Sequence, residues 1–195
     1  MKIKWKLGIG FSGAEGTGKT TLVKEVSRQL EVPAVLGVVR DVLKGMGLAT
    51  PPTFGTDADL ALKFQKRLFE KKSMEEKFIQ APFLADRTSI DMFSYTLSSL
   101  GRESKSQDFL KQYYQACVDY ARLMYHFHFF VPTGRFAIED DGVRNTLQYN
   151  ATMMHYIILG MLCDLHLPFH IIQSVDLQDR IDEVIWVLHT NDFIE

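Results

Sequence analysis

The chain has 195 residues, 46% of them hydrophobic and 24% charged, and its 22 Lys+Arg against 24 Asp+Glu leave a net charge of −2. That is the balance of a globular chain able to bury its own core, and it excludes disorder, collagen and coiled coil. Near-neutrality and a pI near 6.3 argue against a DNA-coating surface, though they leave room for a local basic pocket for phosphates. Cys117 and Cys163 show no metal or redox spacing and read as reduced core thiols. The basic start Met1-Lys2-Ile3-Lys4 is too soon interrupted for a signal peptide, and no apolar run approaches the ~18 residues of a membrane span. The expectation is one cytoplasmic domain over residues 1–195.

In chain order, residues 6–12 (KLGIGFS) form a short apolar strand that opens into a glycine-rich loop. A helix follows over 19–30, with Leu22, Val26 and Leu30 on one face. Pro33 restarts the chain, and the β-branched run 34–39 predicts a second strand, then a short helix over 41–46 and a Gly/Pro loop. Residues 57–72 carry the next helical stripe, in Leu60, Phe64 and Leu68. The apolar run 78–85, ending in Asp86-Arg87, reads as a buried strand. Helices over 88–100 and 108–125 precede an aromatic strand at 127–131 and a polar loop or flap at 132–144. A helix over 145–165, a strand over 169–173 and an amphipathic helix over 176–188 complete the chain. Near-continuous apolar strands alternating with helices predict a three-layer α/β/α fold around a parallel sheet.

The strongest motif is Gly13-Ala14-Glu15-Gly16-Thr17-Gly18-Lys19-Thr20, followed by Thr21. It satisfies G-x-x-x-x-G-K-[ST] between a predicted strand and a predicted helix, the context this phosphate loop requires. Its glycines let successive N–H groups turn toward phosphate oxygens, and the helix N-terminus adds partial positive charge. Lys19 is expected to reach the β- and γ-phosphates, and Thr20 to hold Mg²⁺. Gly8-Ile9-Gly10-Phe11-Ser12-Gly13 also fits the dinucleotide pattern G-x-G-x-x-G. Two of those glycines lie inside the strand, however, and Arg40 stands where a ribose-binding acid would be needed, so this reading is rejected. The chain lacks N-K-x-D and L-S-G-G-Q and is too short for a ring ATPase. These absences leave a compact enzyme that passes a γ-phosphoryl group to a small acceptor.

Further residues carry a family resemblance: Val39-Arg40-Asp41-Val42-Leu43, Phe64-Gln65, Asp86-Arg87-Thr88-Ser89-Ile90-Asp91 with Tyr95, and Glu139-Asp140-Asp141-Gly142-Val143-Arg144. With the glycine loop they resemble the P-loop nucleoside and nucleotide kinase group. Within it they are most similar to the ribosylnicotinamide-kinase-like, AAA-domain-type branch that includes phage nucleotide and DNA-base kinases. The resemblance spans residues 7–188 and implies a five-stranded parallel sheet of order 2-3-1-4-5, with ATP and Mg²⁺ as cofactors.

Roles follow as expectations. Asp86, at a strand's carboxyl end, either orients Mg²⁺ and prepares the acceptor hydroxyl or merely caps the next helix. Arg87 and Arg144 would clamp the transferring group, as in similar kinases, and Arg135 is a weaker flap candidate. Asp91 either steadies Arg87 one turn away or sits on a solvated face. Arg40 and Asp41 are placed at the end of the second strand, on the acceptor side, with Asp41 as alternative general base. Gln65 resembles a base-reading amide. The acceptor expected is a small-molecule nucleoside, nucleotide or ribosylnicotinamide-like compound. Two alternatives stay open: a kinase for a hydroxymethylated base in DNA, and a non-catalytic ATP- or GTP-binding regulator.

Overall fold

The computed structural model describes residues 1–52, 57–79, 82–101, 104–134 and 148–195. Its strands are β1 (Gly8–Ser12), β2 (Ala34–Val35), β3 (Phe83–Asp86), β4 (Tyr125–Phe130) and β5 (Phe169–Ile171). The helices are α1 (Lys19–Leu30), α2 (Val38–Met46), α3 (Ala58–Phe78), α4 (Ser89–Leu100), α5 (Gln107–Met124), α6 (Gln148–Asp164) and α7 (Leu177–Thr190). All strand pairs are parallel and the order is β2-β3-β1-β4-β5, as the resemblance implied. Among the described residues, no helix is long and apolar enough to cross a membrane.

Two cores flank the sheet. On one side, Ile9 and Phe11 of β1 pack with Leu22, Val23 and Val26 of α1 and Ile181 and Val184 of α7. On the other, Phe83, Tyr125 and Phe130 pack with Val38 and Val42 of α2, Phe64 of α3, and Met154 and Ile158 of α6. The period of two along β1 turns Gly8 and Gly10 toward the second side. A Cβ on Gly10 would lie 2.3 Å from Thr88 Cγ2 and 3.1 Å from His128 Nδ1. The glycines that imitate a dinucleotide fingerprint are therefore packing positions, which let α4 and β4 close on the strand.

Several boundaries differ from the sequence expectation. The second strand stops after two residues, because Gly37 adopts φ 70° and starts α2 at Val38. Val38 and Val39 are thus helical despite their β-branching, and burial of Val38 beside Val42 and Leu43 overrides the local propensity. Arg40 and Asp41 consequently stand on the first turns of α2 rather than at a strand end. Phe78 ends α3 instead of opening the third strand and is 79% exposed. An apolar run alone does not separate these two readings. Cys117 is buried as expected, but Cys163 lies on the exposed side of α6.

Candidate active site

β1 delivers the chain to Gly13 beside the carboxyl ends of β3 and β4. Gly13 has φ 145°, and a Cβ there would stand 2.4 Å from the Val131 carbonyl oxygen, so only glycine fits. The loop 13–18 is then held by three outward contacts. Gly13 N–H donates to Asp91 Oδ1 at 2.9 Å, and Glu15 N–H donates to the Tyr95 hydroxyl at 3.1 Å. The Thr17 carbonyl accepts from Arg180 Nη1 at 2.8 Å. Tyr95 in turn donates to the Glu15 carboxylate, which also accepts from Asn150 Nδ2 at 2.6 Å. The loop is thereby fastened to α4, α6 and α7 before any ligand arrives.

Lys19, the first residue of α1, is buried and folds back over the loop, donating to the Ala14 carbonyl and to Thr17 Oγ1 at 3.0 Å. Burial and the nearby Arg87 push its pKa down to about 7, against the opposing pull of Asp86, Asp91 and Glu15. An ammonium in that position gains a great deal from an anion beside it. Thr21, on the same first turn, is exposed.

Thr20 Oγ1 donates to Asp86 Oδ2 at 2.6 Å. The β1–β3 register sets Asp86 opposite Phe11, level with the end of the P-loop strand. Asp86 Oδ1 is buried and has no protein partner among the described residues. A hydroxyl beside a carboxylate with one uncommitted buried oxygen suits a hard divalent cation or a proton to be accepted. Asp86 is not a helix cap, since Thr88 fills that position on α4. Arg87 has φ 67°, anchors through its N–H to the Phe11 carbonyl at 3.0 Å, and lays its guanidinium 4.8 Å from the Tyr95 ring centre. Burial opposes its charge, but Tyr95, Asp91 and Asp86 more than offset this and raise its pKa.

Asp91 is not on a solvated face, and its charge acts on Arg87. It is fully buried, and besides Gly13 N–H it accepts Thr88 N–H at 2.9 Å and Thr88 Oγ1 at 3.0 Å. It closes a capping box on α4. Ser12 Oγ and Thr88 Oγ1, 3.0 Å apart, extend the network under the loop. The carboxylate thus joins the phosphate loop to the helix that follows Asp86-Arg87.

The acceptor-side expectations fare differently. Asp41 is exposed, lies 3.8 Å from Lys71 Nζ, and lines a groove between α2 and α3 with Val42, Gly45, Met46 and Met74. The residues lining that groove include neither Asp86 nor any residue of the phosphate loop. Arg40 is exposed on the same helix. Gln65 is half-buried, and its Oε1 is buried without a protein partner among the described residues. Arg135, Asp140, Asp141 and Arg144 lie outside the described residues.

The sequence reading gave no role to Asn150 or Arg180, and none to Tyr95 beyond its place in the resemblance. Arg180 had a legible sign: it occupies the apolar face of α7 with Val184 and Val187, an unusual place for a charged side chain. Asn150 had none.

A family comparison matches residues 9–180 to an AAA domain. No curated protein matches the sequence. Among solved structures, the chain is similar to deoxyadenosine kinase from M. mycoides with bound dCTP, at 13% identity and TM-score 0.70, covering 94% of this chain and 100% of that one. It is similar to NadR protein in complex with NR at 15% identity and TM-score 0.67, covering 97% of this chain but 51% of that one, so it spans about half of NadR. Thymidylate kinase from Ehrlichia chaffeensis follows at 15% identity and TM-score 0.60, with 93% and 98% covered. Because the family match takes in most of its length, the chain belongs to this AAA-domain family, and its fold is that of the P-loop nucleoside and nucleotide kinase group.

Proposed function

We propose that this protein is a cytoplasmic Mg·ATP-dependent kinase that transfers the γ-phosphoryl group to a nucleoside, nucleotide or ribosylnicotinamide-like acceptor. The observation that carries this reading is the Thr20–Asp86 pair at the lip of the loop, with Asp86 Oδ1 buried and uncommitted. Such a pair suits both holding a divalent cation on the donor phosphates and accepting a proton from an acceptor hydroxyl.

In this reading the loop's N–H groups and Lys19 hold the donor phosphates. Thr20 Oγ1 and Asp86 Oδ2 would hold Mg²⁺, which when bound neutralises charge on the β- and γ-phosphates. Asp86 Oδ1 takes the proton of the acceptor hydroxyl as its oxygen bonds to the γ-phosphorus and the β–γ bridging bond breaks to leave ADP. Arg87, braced by Tyr95, compensates charge on the transferring group, and Arg144 of the flap is assigned the same task. Gln65, with its uncommitted amide oxygen, is assigned to the acceptor's base. Asp86 is assigned as the general base in preference to Asp41, which is exposed beside Lys71 in the α2–α3 groove. The solved structures similar to this chain include NadR protein in complex with NR and a deoxyadenosine kinase, which supports an acceptor of nucleoside size.

The test is ADP release from Mg·ATP across nucleosides, nucleoside monophosphates, ribosylnicotinamide and hydroxymethyluracil-containing DNA, with Lys19→Ala as the blank. Acceptor-dependent release that vanishes in Lys19→Ala supports the kinase and names its substrate class. ATP binding without release for any acceptor overturns it in favour of a nucleotide-binding regulator.

A further inference from the structure

We infer that Arg180 is a positioning residue for the phosphate loop: by fixing the Thr17 carbonyl it aims the Gly18 N–H at the bound anion. Thr17 C=O and Gly18 N–H belong to one peptide unit, and the chain contains no cis peptide among its described residues. In a planar trans unit these two groups point in opposite directions. Whatever holds the carbonyl therefore sets the amide.

The holder is Arg180 on the first turn of α7, 2% exposed, with Nη1 2.8 Å from Thr17 O. Its guanidinium also sits where it limits Gly18, whose Cβ would stand 3.2 Å from Nη1. Gly18 itself is exposed and caps α1 at φ 77°. With the carbonyl drawn inward to α7, the amide faces outward, to the side on which the first turn of α1 presents its own N–H groups. Glycine at φ 77° has little intrinsic preference for this peptide orientation over its flip, so a charged donor at hydrogen-bond distance decides it.

The same guanidinium reaches a second segment. Arg180 Nε donates to the Ser174 carbonyl at 3.2 Å, in the turn between β5 and α7. That turn is held from the other side by Glu183, which accepts from Ser174 N–H at 2.8 Å, from Gln173 N–H at 2.8 Å and 3.0 Å, and contacts His170 Nε2 at 2.7 Å. One turn of α7 thus grips both peptide groups of Ser174 and the phosphate loop together. Lysine, a point charge without the planar fork, cannot reproduce both contacts in this geometry.

This inference rests on reading residues 13–20 as the phosphate cradle, so its experiment carries a readout that needs no ligand. In ¹H–¹⁵N spectra, the Gly18 amide of free Arg180→Lys should move from its wild-type position more than amides remote from α7. In wild type the Gly18 amide should move again on adding ADP. Arg180→Met should weaken ADP binding by calorimetry about tenfold or more, with Arg180→Lys between. A folded Arg180→Lys with the Gly18 amide in place and ADP affinity within about twofold of wild type overturns the inference. So does a wild-type Gly18 amide that stays still while ADP binds, which settles the matter even if Arg180→Met does not fold. Wild type that binds no nucleotide defeats the kinase reading instead, and the free-state Gly18 shift still judges Arg180.

Discussion

Asp91→Asn tests the idea that one buried carboxylate couples the phosphate loop to the helix behind Asp86-Arg87. The change is isosteric and opens no cavity, so its cost is electrostatic. The carboxylate accepts three hydrogen bonds, from Gly13 N–H, Thr88 N–H and Thr88 Oγ1, all between 2.9 and 3.0 Å. An amide has one acceptor oxygen, and its –NH₂ must face a donor on the other side. Turned one way it orphans Thr88 N–H and weakens the capping box; turned the other way it orphans Gly13 N–H and frees the start of the loop. Losing a charge-assisted bond and leaving a buried donor unmet costs about 3 kcal/mol. For a domain of this size that corresponds to a fall in Tm of roughly 6–12 °C. Urea unfolding gives the stability, and steady-state kinetics with varied ATP gives the KM, which should rise about tenfold as the loop loses its tether. Thr88→Val is the contrast: it removes the cap hydroxyl for about 1 kcal/mol but leaves Gly13 N–H on Asp91, so KM for ATP should move much less. An Asp91→Asn protein within ~0.5 kcal/mol of wild type, with unchanged KM for ATP, would refute the coupling.

Three further outcomes are expected. Lys19 is held near pKa 7 in the free protein by burial and Arg87, whereas bound phosphates favour its charged form; nucleotide binding above pH 7 should therefore take up a proton. Calorimetry of ADP in buffers of different ionisation enthalpy should show uptake, with affinity falling as pH rises above 7, and proton release would contradict the assignment. His128 is buried and its pKa is lowered to about 4 from 6.5. Its contribution to stability is complete above pH 6.5 and is lost toward pH 4, as the unfolded chain gains a proton that the folded one refuses. The loss is about 2 kcal/mol by ~pH 5, and urea unfolding of His128→Asn should lack that portion of the acid dependence. Gly13→Ala should leave little folded protein by thermal scanning, since its Cβ meets backbone at 2.4 Å and its φ is 145°; a Tm near wild type would contradict the loop geometry.

The phosphate loop, α1 with its bounds at Lys19 and Leu30, and the alternation of strands and helices could be read from the chain, because each is set by neighbours a few residues apart. Glycine spacing, a helix start after Gly18 and an apolar stripe at four-residue intervals are local signals. The strand order came from the resemblance. The second strand was misjudged, because Val38 and Val39 carry a β-like local preference that burial on α2 overrules. Asp91 could be read equally as solvated or as a partner of Arg87. Its place beneath the loop depends on Gly13, 78 residues away, and on Gly10 being bare enough to let Thr88 close on β1. Arg180 meets Thr17 across 163 residues. Local pattern specifies which backbone shape each segment takes, whereas a polar side chain's role follows from who surrounds it once the sheet is assembled, and here that brought Asp91 and Arg180 to the loop and left Asp41 beside Lys71.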